Sequence, residues 1–152
     1  MDDSAITLPQ HKLCLELRHD ELKGRGVFAT IPIKRRTLID VSPVLLFPQD
    51  EYATHGRYTQ LDHYTYKWKD GYMALALGLG SMFNHNKDPN VGFIRDFTNQ
   101  LIRYVALRDI GQDEELCISY GDHLWFEDAT NSKEEVSDSE DDMAWMHTVM
   151  DG

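Results

Sequence analysis

Cysteine is scarce in this chain of 152 residues: Cys14 and Cys117 lie far apart, each in an apolar run. A structural zinc site needs ligands at close spacing, so no metal is expected, and each thiol reads as buried and reduced rather than nucleophilic. Long apolar runs are also missing. No stretch approaches the ~20 residues of a membrane helix, and Met1-Asp2-Asp3-Ser4 lacks the basic-then-apolar layout of a secretion signal. The expectation is an intracellular protein, nuclear or cytoplasmic, with no membrane partner. Bases are outnumbered, 15 Lys and Arg against 26 Asp and Glu, which argues against direct nucleic-acid binding.

The acidity is unevenly placed. Residues 127–152 carry nine acids and a single base, Lys133, whereas residues 1–126 are nearly balanced, with 17 acids and 14 bases. Two regions follow: a globular domain over 1–127, and an acidic tail over 128–152 that ends in a short apolar segment. The tail composition suits solvation alone, and it equally suits attraction of a basic, lysine-rich peptide. Ser137 and Ser139, set among acids, are candidate sites for an acid-directed kinase.

Along the body, leucines at 13, 15 and 17 alternate as in a half-buried strand. Thr37 to Val41 and Val44 to Phe47 read as two further strands, and Gln49 to Arg57 as a modest helix. Val91–Phe97 and Leu101–Leu107 read as a hairpin turning at Thr98-Asn99-Gln100. Glu114 to Gly121 is a strand ending in Tyr120-Gly121. Short strands at intervals of about ten residues, with one helix at most, predict a mostly β domain. Tyr58, Tyr64, Tyr66 and Trp68 crowd one stretch; such density serves core packing more often than binding, yet Tyr64, Tyr66 and Trp68 are the candidates for a peptide-contacting wall.

Three segments stand apart from this background. In Lys23-Gly24-Arg25-Gly26-Val27-Phe28-Ala29, two glycines flank one residue and permit a backbone path that side chains would block. Phe83-Asn84-His85-Asn86-Lys87-Asp88-Pro89-Asn90 sets an amide and an imidazole behind the apolar anchors Met82 and Phe83, and reads as a loop. Glu114-Glu115-Leu116-Cys117-Ile118-Ser119-Tyr120-Gly121 is the third. In order and spacing, over residues 12 to 126, they resemble the signature of the SET-domain protein lysine methyltransferases.

The resemblance implies a β-clip fold of several small sheets with short helices and a knot-like threading of the C-terminal segment. It also implies S-adenosyl-L-methionine as cofactor and a lysine-containing basic protein, a histone in the leading case, as substrate. By matching positions, Gly24, Arg25 and Gly26 would hold the methionine part of the cofactor. Asn84 and His85 would hold its amino and adenine groups, and Tyr120 would be catalytic. The chain departs from the family pattern at Asn86 and Lys87, commonly Ser and Cys, and at Ser119, commonly Asp. Flanking zinc-binding cysteine segments are absent, so another element must cover the channel. Trp125 and Phe126 are expected to pack there over the cofactor or the channel mouth. The Trp145–Met150 segment either adds to that wall or docks on a second copy in a homodimer. A different reading of the same residues is a catalytically silent module that binds a basic peptide.

Overall fold

The computed structural model describes residues 6–7, 15–22 and 24–119. Tyr120, Trp125, Phe126, the boundary at 127, the acidic tail and the C-terminal threading lie outside the described residues. Within them the chain forms two five-stranded sheets. The first runs β1 (Ile6–Thr7), β2 (Leu15–Asp20), β3 (Gly24–Ala29), β10 (Glu115–Ile118) and β7 (Asn84–His85). The second runs β5 (Thr65–Lys67), β6 (Met73–Ala76), β4 (Leu38–Phe47), β9 (Leu101–Ala106) and β8 (Val91–Asp96). The helix expected over 49–57 is α1 (Gln49–Thr54), followed by short 3-10 turns at Gly56–Tyr58 and Gln60–His63. The architecture is mostly β, as expected.

Strand β10 explains the arrangement. Leu116, Cys117 and Ile118 are all buried, a continuous apolar run of the kind a strand shows when both its faces are covered. It pairs antiparallel with β3, Leu116 opposite Val27, and parallel with β7, Cys117 opposite Asn84. The segment expected to be a loop at Asn84-His85 is therefore a two-residue strand, because β10 supplies its hydrogen-bonding edge. Around this centre one core gathers Leu15, Val27, Phe83, Val91, Phe93, Ile102 and Tyr104 from both sheets.

The two strands expected over 37–41 and 44–47 are one, β4, running through Ser42-Pro43. Proline removes a ladder donor, but the Pro43 carbonyl accepts from Leu77 N at 2.9 Å and Val44 N reaches the Gln100 carbonyl at 3.1 Å. The pairing therefore carries across. Among the described residues, Ser42 Oγ is the buried side-chain oxygen without a hydrogen-bond partner. It sits where Gly80 packs tightest: a Cβ on Gly80 would lie 2.5 Å from the Tyr104 hydroxyl and 2.7 Å from Ser42 Oγ.

The β8–β9 hairpin closes on Asp96, which is 7% exposed. Its carboxylate accepts from Asn99 N at 3.0 Å, Asn99 Nδ2 at 2.9 Å and Arg103 Nη1 at 2.6 Å. Burial pushes its pKa up, but the hydrogen bonds from Arg103 and Asn99 outweigh that and hold it at about 2. A carboxyl depressed in the folded state stabilises above its unfolded pKa and loses that contribution as pH falls through the folded value.

Asp96→Asn is expected to cost about 2 kcal/mol at neutral pH. The gap from the parent should close between pH 4 and pH 2 in denaturant titrations, and a gap independent of pH would contradict the assignment. Near Gly80 the expectations are opposite in sign. Ser42→Ala removes an unsatisfied hydroxyl and should leave the unfolding midpoint unchanged or raise it. Gly80→Ala forces a methyl into hydroxyl and methyl neighbours, and should lower stability by about 1–3 kcal/mol.

Candidate active site

The first sheet brings the three singled-out segments together. Gly24 has φ +78° with open space where a side chain would stand, so its demand is conformational. Gly26 is different. A Cβ there would lie 2.4 Å from Glu115 Oε2 and 2.8 Å from Asn84 Nδ2. Glycine at 26 is what lets the Glu115 carboxylate and the Asn84 amide close over β3.

The middle segment is fixed from both ends. Phe83 is 2% exposed and tilts against Tyr104, ring centroids 4.8 Å apart. At the far end Asn90, 3% exposed, uses its whole carboxamide on β10 and on Glu114 just before it. Its Oδ1 accepts from Cys117 N at 2.8 Å, and its Nδ2 donates to the Glu115 carbonyl and to Glu114 Oε2, each at 2.8 Å. Between these anchors, Asn84 Nδ2 donates to the Arg25 carbonyl at 3.0 Å and to Glu115 Oε2 at 2.7 Å. Asn86 N donates to the Ile118 carbonyl at 2.8 Å, continuing the parallel ladder past His85.

Beside this network lies a cleft of about 290 Å³. Gly24, Arg25, Asn84 and His85 form one wall, and Ser81, Met82 and Phe83 the next. The third comes from His63 and Tyr64, of which His63 carried no mark in the sequence. Their segment is pinned by Tyr52. This buried phenol bonds Asp62 Oδ1 at 2.9 Å and Thr65 Oγ1 at 2.8 Å, and burial pushes its pKa up. Thr59 Oγ1 caps the turn by accepting from Leu61 N at 3.1 Å. The lining mixes polar and apolar surface about equally, and the volume is near the lower end of the ~300–1,000 Å³ that small-molecule sites span.

The three aromatics expected to form a peptide wall separate. Tyr64, 37% exposed, lines the cleft. Tyr66 points the other way from β5 and is 4% exposed. Its hydroxyl donates to the Gly80 carbonyl at 2.8 Å and accepts from the Tyr104 hydroxyl at 3.1 Å. Trp68 meets Phe97 edge to face at 4.9 Å and lines a second cavity of about 380 Å³ with Lys69, Asp70 and Tyr72. A strand's period of two would put 64, 66 and 68 on one face; they part because β5 spans only Thr65–Lys67, leaving Tyr64 at the end of the preceding 3-10 turn and Trp68 at the start of the next. Among the described residues no cluster of His, Cys, Asp and Glu could hold a metal ion.

The three segments thus share one site: a cleft with the glycine-bearing strand β3 on one side and β7, half-buried at Asn84 and exposed at His85, on the other. Residues 24–121 match the SET domain family, and the chain belongs to the SET-domain family of protein lysine methyltransferases. It is 53% identical over 136 residues to the histone-lysine N-methyltransferase, H3 lysine-37 specific, of Schizosaccharomyces pombe, covering 90% of this chain and 92% of that one. A solved Plasmodium falciparum structure, assigned as a histone methyltransferase, superposes with a TM-score of 0.58 at 30% identity. That match covers 73% of this chain and 96% of the other. A chain of ctPRC2 in complex with H3K27me3 and H3K27M gives the same TM-score at 23% identity, over 70% of this chain and 14% of that one, and shows the fold alone.

Two substitutions test the cleft. Gly26→Ala drives a methyl into Glu115 and Asn84, and Asn84→Ala removes the amide together with its bonds to the Arg25 carbonyl and Glu115 Oε2. Each is expected to weaken binding of S-adenosylhomocysteine by about tenfold or more, from the 1–3 kcal/mol an orphaned partner costs. Calorimetry reads this directly, and unchanged affinity in both would remove the segment from the cofactor site.

Proposed function

We propose that this chain transfers a methyl group from S-adenosyl-L-methionine to a lysine side chain of a histone, and acts in the nucleus. The observation that supports it most is the convergence of Gly26, Asn84 and Glu115 within contact of one another beside the cleft. A silent peptide-binding groove would have no need of that cradle. The name of the 53% identical relative supports H3, and lysine-37 as the position to test first.

The residues fit the cofactor on structural grounds. The bare backbone at Gly24 and the amide of Asn84 both face the same cleft, where a small ligand can meet main-chain groups without an intervening side chain. When bound, the cofactor supplies an electrophilic methyl on a positive sulfonium. The protein's share is alignment and desolvation. A lysine amine, with pKa near 10.4, must lose a proton before it can attack. An apolar channel and a nearby positive charge both favour the neutral amine. No dedicated base is required, and positioning alone can be worth several kcal/mol. We assign Tyr120 to the transfer centre, one residue beyond the described Ser119, with Trp125 and Phe126 as cover.

Of the aromatics, Tyr64 is proposed as the one that meets ligand at the cleft. Tyr66 supports the wall from within through Gly80, and Trp68 belongs to the second cavity. Arg25, His85 and the backbone of Gly24 and Gly26 complete the proposed cofactor set.

Radiolabelled methyl transfer to histone H3, beside H3 with lysine-37 replaced by arginine, tests substrate and position together. Label is expected on the first and lost on the second; equal labelling would move the target elsewhere, and no labelling of any core histone would sink the histone assignment. Tyr120→Phe should cut turnover at least tenfold while leaving S-adenosylhomocysteine affinity within a few-fold. Full turnover in that variant would take Tyr120 out of the mechanism.

A further inference from the structure

Both hydrogens of the Asn84 amide are spent on acceptors. One goes to the Arg25 carbonyl at 3.0 Å and the other to Glu115 Oε2 at 2.7 Å. Neither a carbonyl nor a carboxylate can donate, so only the NH2 end of the carboxamide can stand there. An amide turned the other way would set its oxygen against two oxygens. The orientation is therefore dictated by chemistry, and the group that Asn84 has left to offer a ligand is an oxygen, an acceptor. A carboxylate is the stronger of the two partners, since its charge shortens and strengthens the bond. Space for it exists only because residue 26 has no Cβ, which would otherwise lie 2.4 Å from Glu115 Oε2.

We infer that Glu115 is a positioning residue: it holds the Asn84 amide with its N–H bonds turned onto the protein, so that the cleft presents an amide oxygen and selects a protonated α-amine on its ligand. The inference rests on reading the cleft as the S-adenosylmethionine site. That ligand carries both an α-ammonium, which can donate to the Asn84 oxygen, and an α-carboxylate, which the same oxygen repels. Glu115 thus fixes which end of the amino-acid head lies at Asn84. Glu115 is not among the residues that line the cleft, and its Oε2 lies against the Asn84 amide and Gly26.

The test measures binding of two compounds by calorimetry, with no turnover needed: S-adenosylhomocysteine, and the same compound with hydrogen in place of the α-amine. The parent chain is expected to prefer the amine-bearing compound by tenfold or more. Glu115→Ala should lose most of that preference by weakening the first compound about tenfold, while the deaminated compound changes less than twofold. Glu115→Gln keeps the size and one acceptor oxygen but gives up the charge, and should fall between the two, with a loss of about threefold on the amine-bearing compound alone. Thermal unfolding identifies a variant that has lost its fold. If the alanine variant does not fold, the glutamine variant decides by the same criterion. Equal weakening of both compounds, or no change in either, in a folded variant would overturn the positioning role while leaving the cofactor site intact. Failure of the parent chain to bind either compound would overturn the cofactor reading, and this inference with it.

Discussion

One buried carboxamide holds the two halves of the site in register. Asn90 spends its oxygen on the Cys117 amide and its nitrogen on the Glu115 carbonyl and the Glu114 carboxylate. A polar side chain 3% exposed is tolerated in a core only when its hydrogen bonds are met, and here the partners are on β10 and on Glu114, the residue just before it. The residue that ends the Asn84 segment is thereby bolted to the strand that carries Glu115. The short parallel pairing of Asn84 and His85 with Cys117 and Ile118, too brief to stand by itself, depends on that bolt at one end and on buried Phe83 at the other.

The second sheet contributes from behind. Its two buried phenols, Tyr66 and Tyr104, form a chain of hydroxyls that ends on the Gly80 carbonyl, at the entry to the cleft-lining run from Ser81 to His85. Hydrogen bonds inside a low-dielectric core are costly to leave broken, so this chain gives the cleft a stiff backing. Aromatic residues that a sequence reading would assign to ligand contact can thus serve the site by holding its scaffold.

Legibility from sequence followed the strength of the local signal. The alternation of Leu15 and Leu17, the β8–β9 hairpin at Thr98 to Gln100, and the strand before Ser119 all carry their period in a few adjacent residues, and each stands where it was expected. The three segments of the site were recognisable as a set, although no one of them was specific. What failed to show was anything decided at long range. Ser42-Pro43 reads as a break, yet pairing to β6 and β9 carries β4 through it. Asn84-His85 reads as a loop because its partner strand lies over thirty residues on. The place of His63 in the cleft depends on Tyr52 anchoring Asp62 and Thr65, a contact with no periodic trace. The divergence of Tyr64, Tyr66 and Trp68 arises from a turn at Tyr64 that composition does not mark.

The central position of β10 bears on how the protein is made. Its partners β3 and β7 come from the first and middle parts of the chain, and the side-chain link from Arg18 to Asp113, beside β10, joins residues 95 apart in sequence. Contacts of such separation are paid for in loop entropy before they stabilise anything, so topologies rich in them fold slowly. On the ribosome, Gly26 and Asn84 emerge long before Glu115 exists to meet them, and β3 waits with an open edge. The proposed cleft therefore cannot close until Glu115 has been made, and during that interval an unpaired strand edge is exposed to other proteins. A nascent or C-terminally shortened form would be a client for chaperones rather than a weak enzyme.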